Sequence, residues 1–172
     1  MSLVLLCLFD RMEKIAMKKF ELTADRIEEK GVTLHRIKAL IDFGDVKAGE
    51  LGGYVEKEEN LSQYGNAWVY RHAKVFGNAY IYGNAEVYDD AEVYSNARVC
   101  SNADYIYLKG FGSHNRSTTI FRAKNGNICV SCGCFIGSLQ EFENKVKETH
   151  GNNKFAKEYL ALVEAAKIHF GV

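Results

Sequence analysis

Cys129, Cys132 and Cys134 crowd into one short stretch, and thiolates at such spacing suit zinc, with His150 as the candidate fourth ligand. A structural zinc site, however, uses two separated pairs at knuckle turns. Here the cysteines lie along a predicted strand on which only Cys132 and Cys134 share a face. Buried thiols are the preferred reading, and no metal or other cofactor is expected. Two histidines are the remaining candidates. His72 acts as a general base if a carboxylate such as Asp90 meets it, and His114 stands in a loop. No glycine-rich phosphate loop and no nucleophile elbow is present. Cys7 and Cys100 stand alone. The apolar run Val4 to Phe9 is too short for a secretory signal and lacks a basic stretch before it and a small-residue cleavage site after it, which predicts a cytoplasmic protein with reduced thiols.

Composition narrows the partners. The chain has 172 residues, with 22 Lys plus Arg against 22 Asp plus Glu. Zero net charge gives no electrostatic reason to expect nucleic acid or an anionic membrane surface. No stretch is long enough to span a bilayer as a helix. The sequence contains no proline but 15 glycines, 10 tyrosines and 10 phenylalanines, which fits a β-structure whose backbone donors are used in ladders.

The elements that must position these groups follow from a repeat. From Gly65 the chain falls into hexapeptides that begin Gly-Asn-Ala-Trp-Val-Tyr, Arg-His-Ala-Lys-Val-Phe and Gly-Asn-Ala-Tyr-Ile-Tyr. Alanine recurs at 67, 73, 79, 85, 91, 97 and 103, and a β-branched residue at 69, 75, 81, 87, 93 and 99. Fixed-period self-similarity marks a repeat architecture. Ala67 and Val69 are two apart and point to one side of a short strand, while Trp68 and Tyr70 point to the other. Gly-Asn then tolerates left-handed backbone angles and allows a corner. A period of six does not fit an α-helix, and the strands are too short for a hairpin stack.

The pattern resembles the hexapeptide-repeat, left-handed parallel β-helix family. The stretch Gly44 to Asn60, with Glu-Leu-Gly-Gly-Tyr-Val-Glu-Lys-Glu-Glu-Asn, resembles in particular the lead-in of such proteins from bacteriophages and prophages. The resemblance covers nearly the whole chain from Met17. It implies that three hexapeptides make one triangular coil, so that residues 18 apart stack. Arg71 then sits over Asp89, His72 over Asp90 and Lys74 over Glu92, with Tyr80 over Arg98 as a cation–π pair. The interior becomes columns of Val69, Val87 and Tyr105, of Val75 and Val93, and of Ile81 and Val99. Val46 to Tyr64 adds an irregular first coil in which Leu51 lies below Val69. The stack has about three and a half coils and is about 17 Å tall.

The fold class expected is therefore mainly β with a C-terminal α+β module. Residues 1–16 read as a non-native or disordered leader ahead of Met17, and N-terminal sequencing that finds Met12 or earlier refutes this. Residues 17–45 are capping strands (18–23 and 32–41), 46–108 the β-solenoid, and 109–172 a hairpin with two helices. Asn125-Gly126 joins the hairpin strands Thr118 to Ala123 and Ile128 to Phe135. Ser138 to Glu141 forms a capping box that opens a helix to His150, and a second helix runs from Lys154 to Phe170. This module is expected against the last coil or a neighbouring subunit.

Trp68, Tyr70, Phe76, Tyr80, Tyr82, Tyr88 and Tyr94 all point outward, and so large an aromatic face reads as an oligomer interface. Cyclic trimers are the usual state of the resembled family, which implies a homotrimer. In its acyltransferases a histidine takes the acceptor's proton during attack on an acyl thioester, and His72 with Asp90, or His114, are the positions open to that role. The solenoid is short for a coenzyme A donor and no long loop forms an acceptor pocket. The leading expectation is a non-catalytic binding protein of phage or prophage type, a host-takeover or anti-defence factor that captures a host protein or a small nucleotide signal. A small acetyl-CoA-dependent acyltransferase and a structural assembly protein are the alternatives.

Overall fold

The computed structural model describes residues 18–172, so the expectations for residues 1–16 and for Met12, Met17 and Cys7 fall outside the described residues. The described chain is mainly β with two helices at its C-terminal end. Two long strands come first, β1 (Phe20–Glu29) and β2 (Val32–Ala39), then β3 (Leu51–Val55). Two-residue strands follow at a spacing of six: β4 (Trp68–Val69), β5 (Lys74–Val75), β6 (Tyr80–Ile81), β7 (Glu86–Val87), β8 (Glu92–Val93) and β9 (Arg98–Val99).

The short strands pair in parallel across 18 residues. Val69 lies beside Val87, Val75 beside Val93 and Ile81 beside Val99. Each step is held by main-chain bonds such as Trp68 N–H to Ala85 O at 3.0 Å and Tyr70 N–H to Val87 O at 2.8 Å. The period of six has a backbone cause. The first residue of each hexapeptide is left-handed: Gly65 (φ 73°), Arg71 (49°), Gly77 (66°), Gly83 (66°), Asp89 (59°) and Ser95 (61°). That conformation turns the chain once per repeat; glycine adopts it freely, and Arg71, Asp89 and Ser95 adopt it as single residues. Ser101 opens the seventh hexapeptide with φ −146°, so the corner is not made and the repeat ends. Tyr105 is consequently no rung. It leaves the stack, and its hydroxyl donates to Glu86 O at 2.8 Å.

Valines, isoleucine and the alanines at 67, 73, 79, 85, 91 and 97 are fully buried between the ladders. Burying one such valine or isoleucine contributes about 1.5–3 kcal/mol. The lead-in coil departs from the expected register. Val55 pairs with Val75 and Leu61 bridges Ile81, an offset of 20 rather than 18, and Leu51 is half exposed instead of lying below Val69. Two glycines permit its close approach: a side chain at Gly52 would meet Val69 O at 2.6 Å, and one at Gly53 would meet Val69 Cγ1 at 2.8 Å.

The N-terminal hairpin closes the first coil and then wraps beside it. One sheet runs β1-β2-β3-β5-β8, with β2 antiparallel to β3 and β3 parallel to β5. The open edge of β3 is thereby paired, which removes an aggregation-prone margin. Beyond this cap the hairpin extends across the outside of β5 and β8. Its Leu34, Ile27 and Val32 pack on Phe76 and Tyr94, and its tip is tied by Glu29 to Lys74 and by Lys30 to Glu92 (2.5 Å).

At the other end, β10 (Tyr105–Phe111), β11 (Arg116–Arg122), β12 (Ile128–Cys132) and β13 (Phe135–Ser138) form an antiparallel sheet in sequence order. The sheet has four strands where the sequence suggested a hairpin, because the residues after the broken corner continue as β10. One face seats on the last coil. Ala97 bridges Ala123, Thr119 Oγ1 accepts Glu92 N–H at 3.2 Å, and the Tyr94 hydroxyl donates to Ser131 Oγ at 3.1 Å. The other face carries α1 (Leu139–His150) and α2 (Lys154–Phe170), with Leu139, Phe142, Val146, Tyr159, Leu162, Val163 and Ala166 in a second core. Ser138 and Glu141 make the reciprocal capping box, and Asn153 caps α2. Ala156 rather than Phe155 fills the first buried position of α2; Phe155 is only half-buried. Among the described residues no helix is long and apolar enough to cross a membrane.

Candidate functional site

The seven outward aromatics do not form one open face. Trp68 is fully buried beneath Phe20 and Phe43, whose rings meet it edge-on at 6.3 and 5.3 Å. Among the described residues its indole N–H has no hydrogen-bond partner. Phe76 and Tyr94 stack at 4.6 Å and are buried under the hairpin. The interface expected for these three residues is corrected: they are covered by their own chain, because β1 and β2 are long enough to wrap the stack. Tyr70, Tyr80, Tyr82 and Tyr88 remain at the surface. Tyr70 and Tyr88 stack at 4.4 Å, and with Tyr105 and Tyr107 they line an open groove of about 730 Å³. Burial and the neighbouring Tyr88 and Glu86 push the Tyr70 phenol above its usual range, so it is a neutral hydrogen-bond donor to Glu86 at 3.2 Å.

His72 and Asp90 do not form a dyad. Asp90 is taken instead by Lys109 at 2.7 Å, which is the main reason its carboxyl is held below the usual range. His72 is exposed, and among the described residues no group orients its ring. Of the expected stacks, Lys74 does pair with Glu92 (3.7 Å), and the Arg98 guanidinium lies 5.8 Å from the Tyr80 ring centroid.

The structure brings the other candidates together. A cleft of about 400 Å³ opens between the turn after β12, the loop after β10 and helix α1. His114, Cys132, Cys134 and His150 all line it, with Arg116 and Lys145 at its polar side. Phe135, Phe142, Val146 and Tyr159 form its apolar wall. Local chemistry explains each placement. Gly133 is left-handed (φ 60°), which turns the chain between Cys132 and Cys134 and puts the two thiols in different surroundings. The Arg116 guanidinium occupies the space a side chain at Gly133 would need. Cys132 is buried and fully engaged: it accepts from Thr118 Oγ1 at 3.2 Å and donates to the Tyr159 hydroxyl at 3.7 Å, which donates in turn to Phe111 O at 3.2 Å. Burial and Cys132 push the Tyr159 phenol upward. Cys134 is exposed in the cleft, and Cys129 lies apart on β12, its thiol pushed up by burial.

Among the described residues no three His, Cys, Asp or Glu side chains converge with ligand geometry. Nor is either histidine oriented by a carboxylate: His114 Nδ1 shares a 2.9 Å hydrogen bond with Ser113 Oγ, and the His150 ring lies 5.9 Å from that of Tyr159. The cleft offers an apolar wall, cationic groups and no carboxylate in its lining, which suits an anionic ligand with an apolar portion. In the sequence these residues were visible singly. What was missing was the fold of β10 to β13 with α1, which brings positions between 113 and 159 onto one rim.

No protein-family model matches the chain. Over 42 residues it is 48% identical to the uncharacterized acetyltransferase YdcK of Escherichia coli (strain K12). That match covers 24% of this chain and only 13% of the relative, so the likeness is to a segment of that protein.

Proposed function

We propose that this chain is a hexapeptide-repeat protein whose residues 46–108 wind as a left-handed parallel β-helix, and that it handles an acyl group in the C-terminal cleft. The observation that carries this reading is the convergence of His114, His150 and Cys134 on one apolar-walled, cationic cleft. The segment shared with an acetyltransferase supports it. In this scheme Arg116 and Lys145 receive the anionic part of an acyl donor, and Phe135, Phe142 and Val146 receive its apolar arm. His114 takes the proton of the acceptor as the acceptor attacks the thioester carbonyl, and the donor thiolate leaves. Ser113 fixes the ring through Nδ1, which leaves Nε2 to act as base.

The test is a thermal-shift and transfer assay with acetyl-CoA. The expected result is a stabilising shift and thiol release, with transfer reduced about 10²–10⁴-fold in His114→Ala, the usual contribution of a general base. No shift and no thiol release overturn the reading.

A second reading has its own support. Neither histidine in the cleft has an orienting carboxylate, and the Tyr159–Cys132 pair beside them is committed to structure. The cleft would then capture an anionic ligand without turning it over, as a binding protein acting on a host protein or a nucleotide signal. Binding of acetyl-CoA without transfer, together with unchanged binding in His114→Ala, is the signature of that case.

A further inference from the structure

A second groove, away from the cleft, gathers three cations against one carboxylate. It lies along the corner before β6 and β9, has a volume of about 530 Å³, and is lined by Lys57, Asn78, Tyr80, Asn96, Arg98 and Lys124, with Glu59 as its one carboxylate. Lys57, Arg98 and Lys124 make no ion pair among the described residues, so their charges are free to meet a ligand. Three cations against one carboxylate leave the groove with an excess of two positive charges. Glu56, close by, is turned away onto the Gly77 N–H at 2.6 Å.

The arrangement is built rather than incidental. Arg98 Nη1 donates to Asn78 O at 2.6 Å and to Ala97 O at 2.9 Å, which anchors the guanidinium to the backbone of two successive rungs. Its Nε and Nη2 edge has no partner among the described residues, and that edge has the fork geometry that meets two oxygens of an oxyanion at once. Asn78 and Asn96 form a ladder, Asn78 Nδ2 donating to Asn96 Oδ1 at 3.3 Å, which fixes both amides at the rim. Lys124 comes from another element, the turn after β11, and is placed here by its own N–H bond to Asn96 O at 2.8 Å. The groove therefore exists only where the C-terminal sheet meets the last coil.

We propose that this groove binds the phosphate of a small phosphate ester. A phosphate monoester carries a charge of about −1.5 to −2 near neutral pH, which matches the surplus, and Arg98 supplies a bidentate donor edge with Lys57 and Lys124 as flanking point charges. The site is independent of the acyl-handling cleft, and its fate does not depend on that reading.

The test is isothermal titration of the full chain with three probes: adenosine 5′-monophosphate, inorganic phosphate and adenosine. Adenosine 5′-monophosphate and phosphate are expected to bind and adenosine is not. Affinity for adenosine 5′-monophosphate should fall at least 10-fold in Arg98→Gln and severalfold in Lys124→Gln, and should weaken as salt is raised. Lys124 is exposed, so Lys124→Gln reports on binding even if Arg98→Gln disturbs the coil; unchanged melting of Lys124→Gln establishes that its loss is local. Failure of both phosphate probes to bind at millimolar concentration overturns the proposal. So does adenosine binding as well as its monophosphate, or equal affinity in wild type and Lys124→Gln.

Discussion

Lys19 is a cationic residue buried inside the fold. Its ammonium is enclosed at the foot of the stack, donating to Ala67 O at 2.8 Å and lying over the Phe43 ring at 4.9 Å. Among the described residues no carboxylate pairs with it, and burial pulls its pKa down to about 8. The folded chain then sheds this proton near pH 8, while the unfolded chain keeps it to about 10.4. Across that window the unfolded state binds more protons, so this group makes stability rise with pH. Urea unfolding at pH 7.5 and pH 10.5 should show a gain on the order of 2–3 kcal/mol that Lys19→Met lacks, because each tenfold difference in proton affinity between the folded and unfolded chain is worth about 1.4 kcal/mol. Gly53 makes a second test. Gly53→Ala should destabilise by roughly 1–3 kcal/mol, because the added methyl meets Val69 and the Ala73 carbonyl; a chemical-denaturation midpoint checks it. The lead-in glycines stood in the sequence only as part of the stretch that carries the family resemblance, and nothing local announced that backbone would press on them.

The repeat strands and the helix caps govern stability at the scale of elements. Ala85 sits between rungs with no exposed surface. Ala85→Leu should therefore overpack the column and lose roughly 1–3 kcal/mol in equilibrium unfolding, while Ala85→Ser should cost less. Ser138 accepts the Glu141 N–H at 3.2 Å, and Ser138→Ala should lower stability by about 1 kcal/mol and loosen amide protection in the first turn of α1. Hydrogen exchange reads that directly. These elements were readable because each depends on a short-range rule: a left-handed corner every sixth residue, a capping box, an Asn-Gly turn. The end of the repeat was not readable. Ser101 has the same residue type as Ser95, yet only Ser95 turns the corner.

For the whole molecule, the decisive feature is how the two flanking modules cover the stack. The N-terminal hairpin buries Phe76 and Tyr94 and the C-terminal sheet seats on the last coil, which leaves the stacked pairs Tyr70–Tyr88 and Tyr80–Tyr82 at the surface, the first of them in an open groove. If the trimer implied by the family resemblance forms, this groove is where it closes. Light scattering is then expected to give three times the 19.4 kDa chain mass, falling in Tyr88→Lys; a strict monomer in the wild type contradicts it. The hairpin is fastened at its tip by Glu29–Lys74 and Lys30–Glu92, so Lys30→Glu should expose the hairpin to proteolysis at its Lys30-Gly31 turn sooner than the wild type, with the core unaffected.

The spacing of the rungs, the buried residues from Val69 to Val99 and both helices could be read from the amino-acid order, because each follows from side-chain alternation and backbone preferences that act over a few residues. Packing between modules was needed to settle which aromatics are covered, how the lead-in coil slips by two residues, and how His114, Cys134 and His150 come to share one cleft. Those outcomes depend on contacts between segments far apart along the chain, and no local pattern encodes such distances. The pairing of Asp90 with Lys109 shows the difference at its smallest: the register placed Asp90 above His72, but a strand from the next module supplied the better cation.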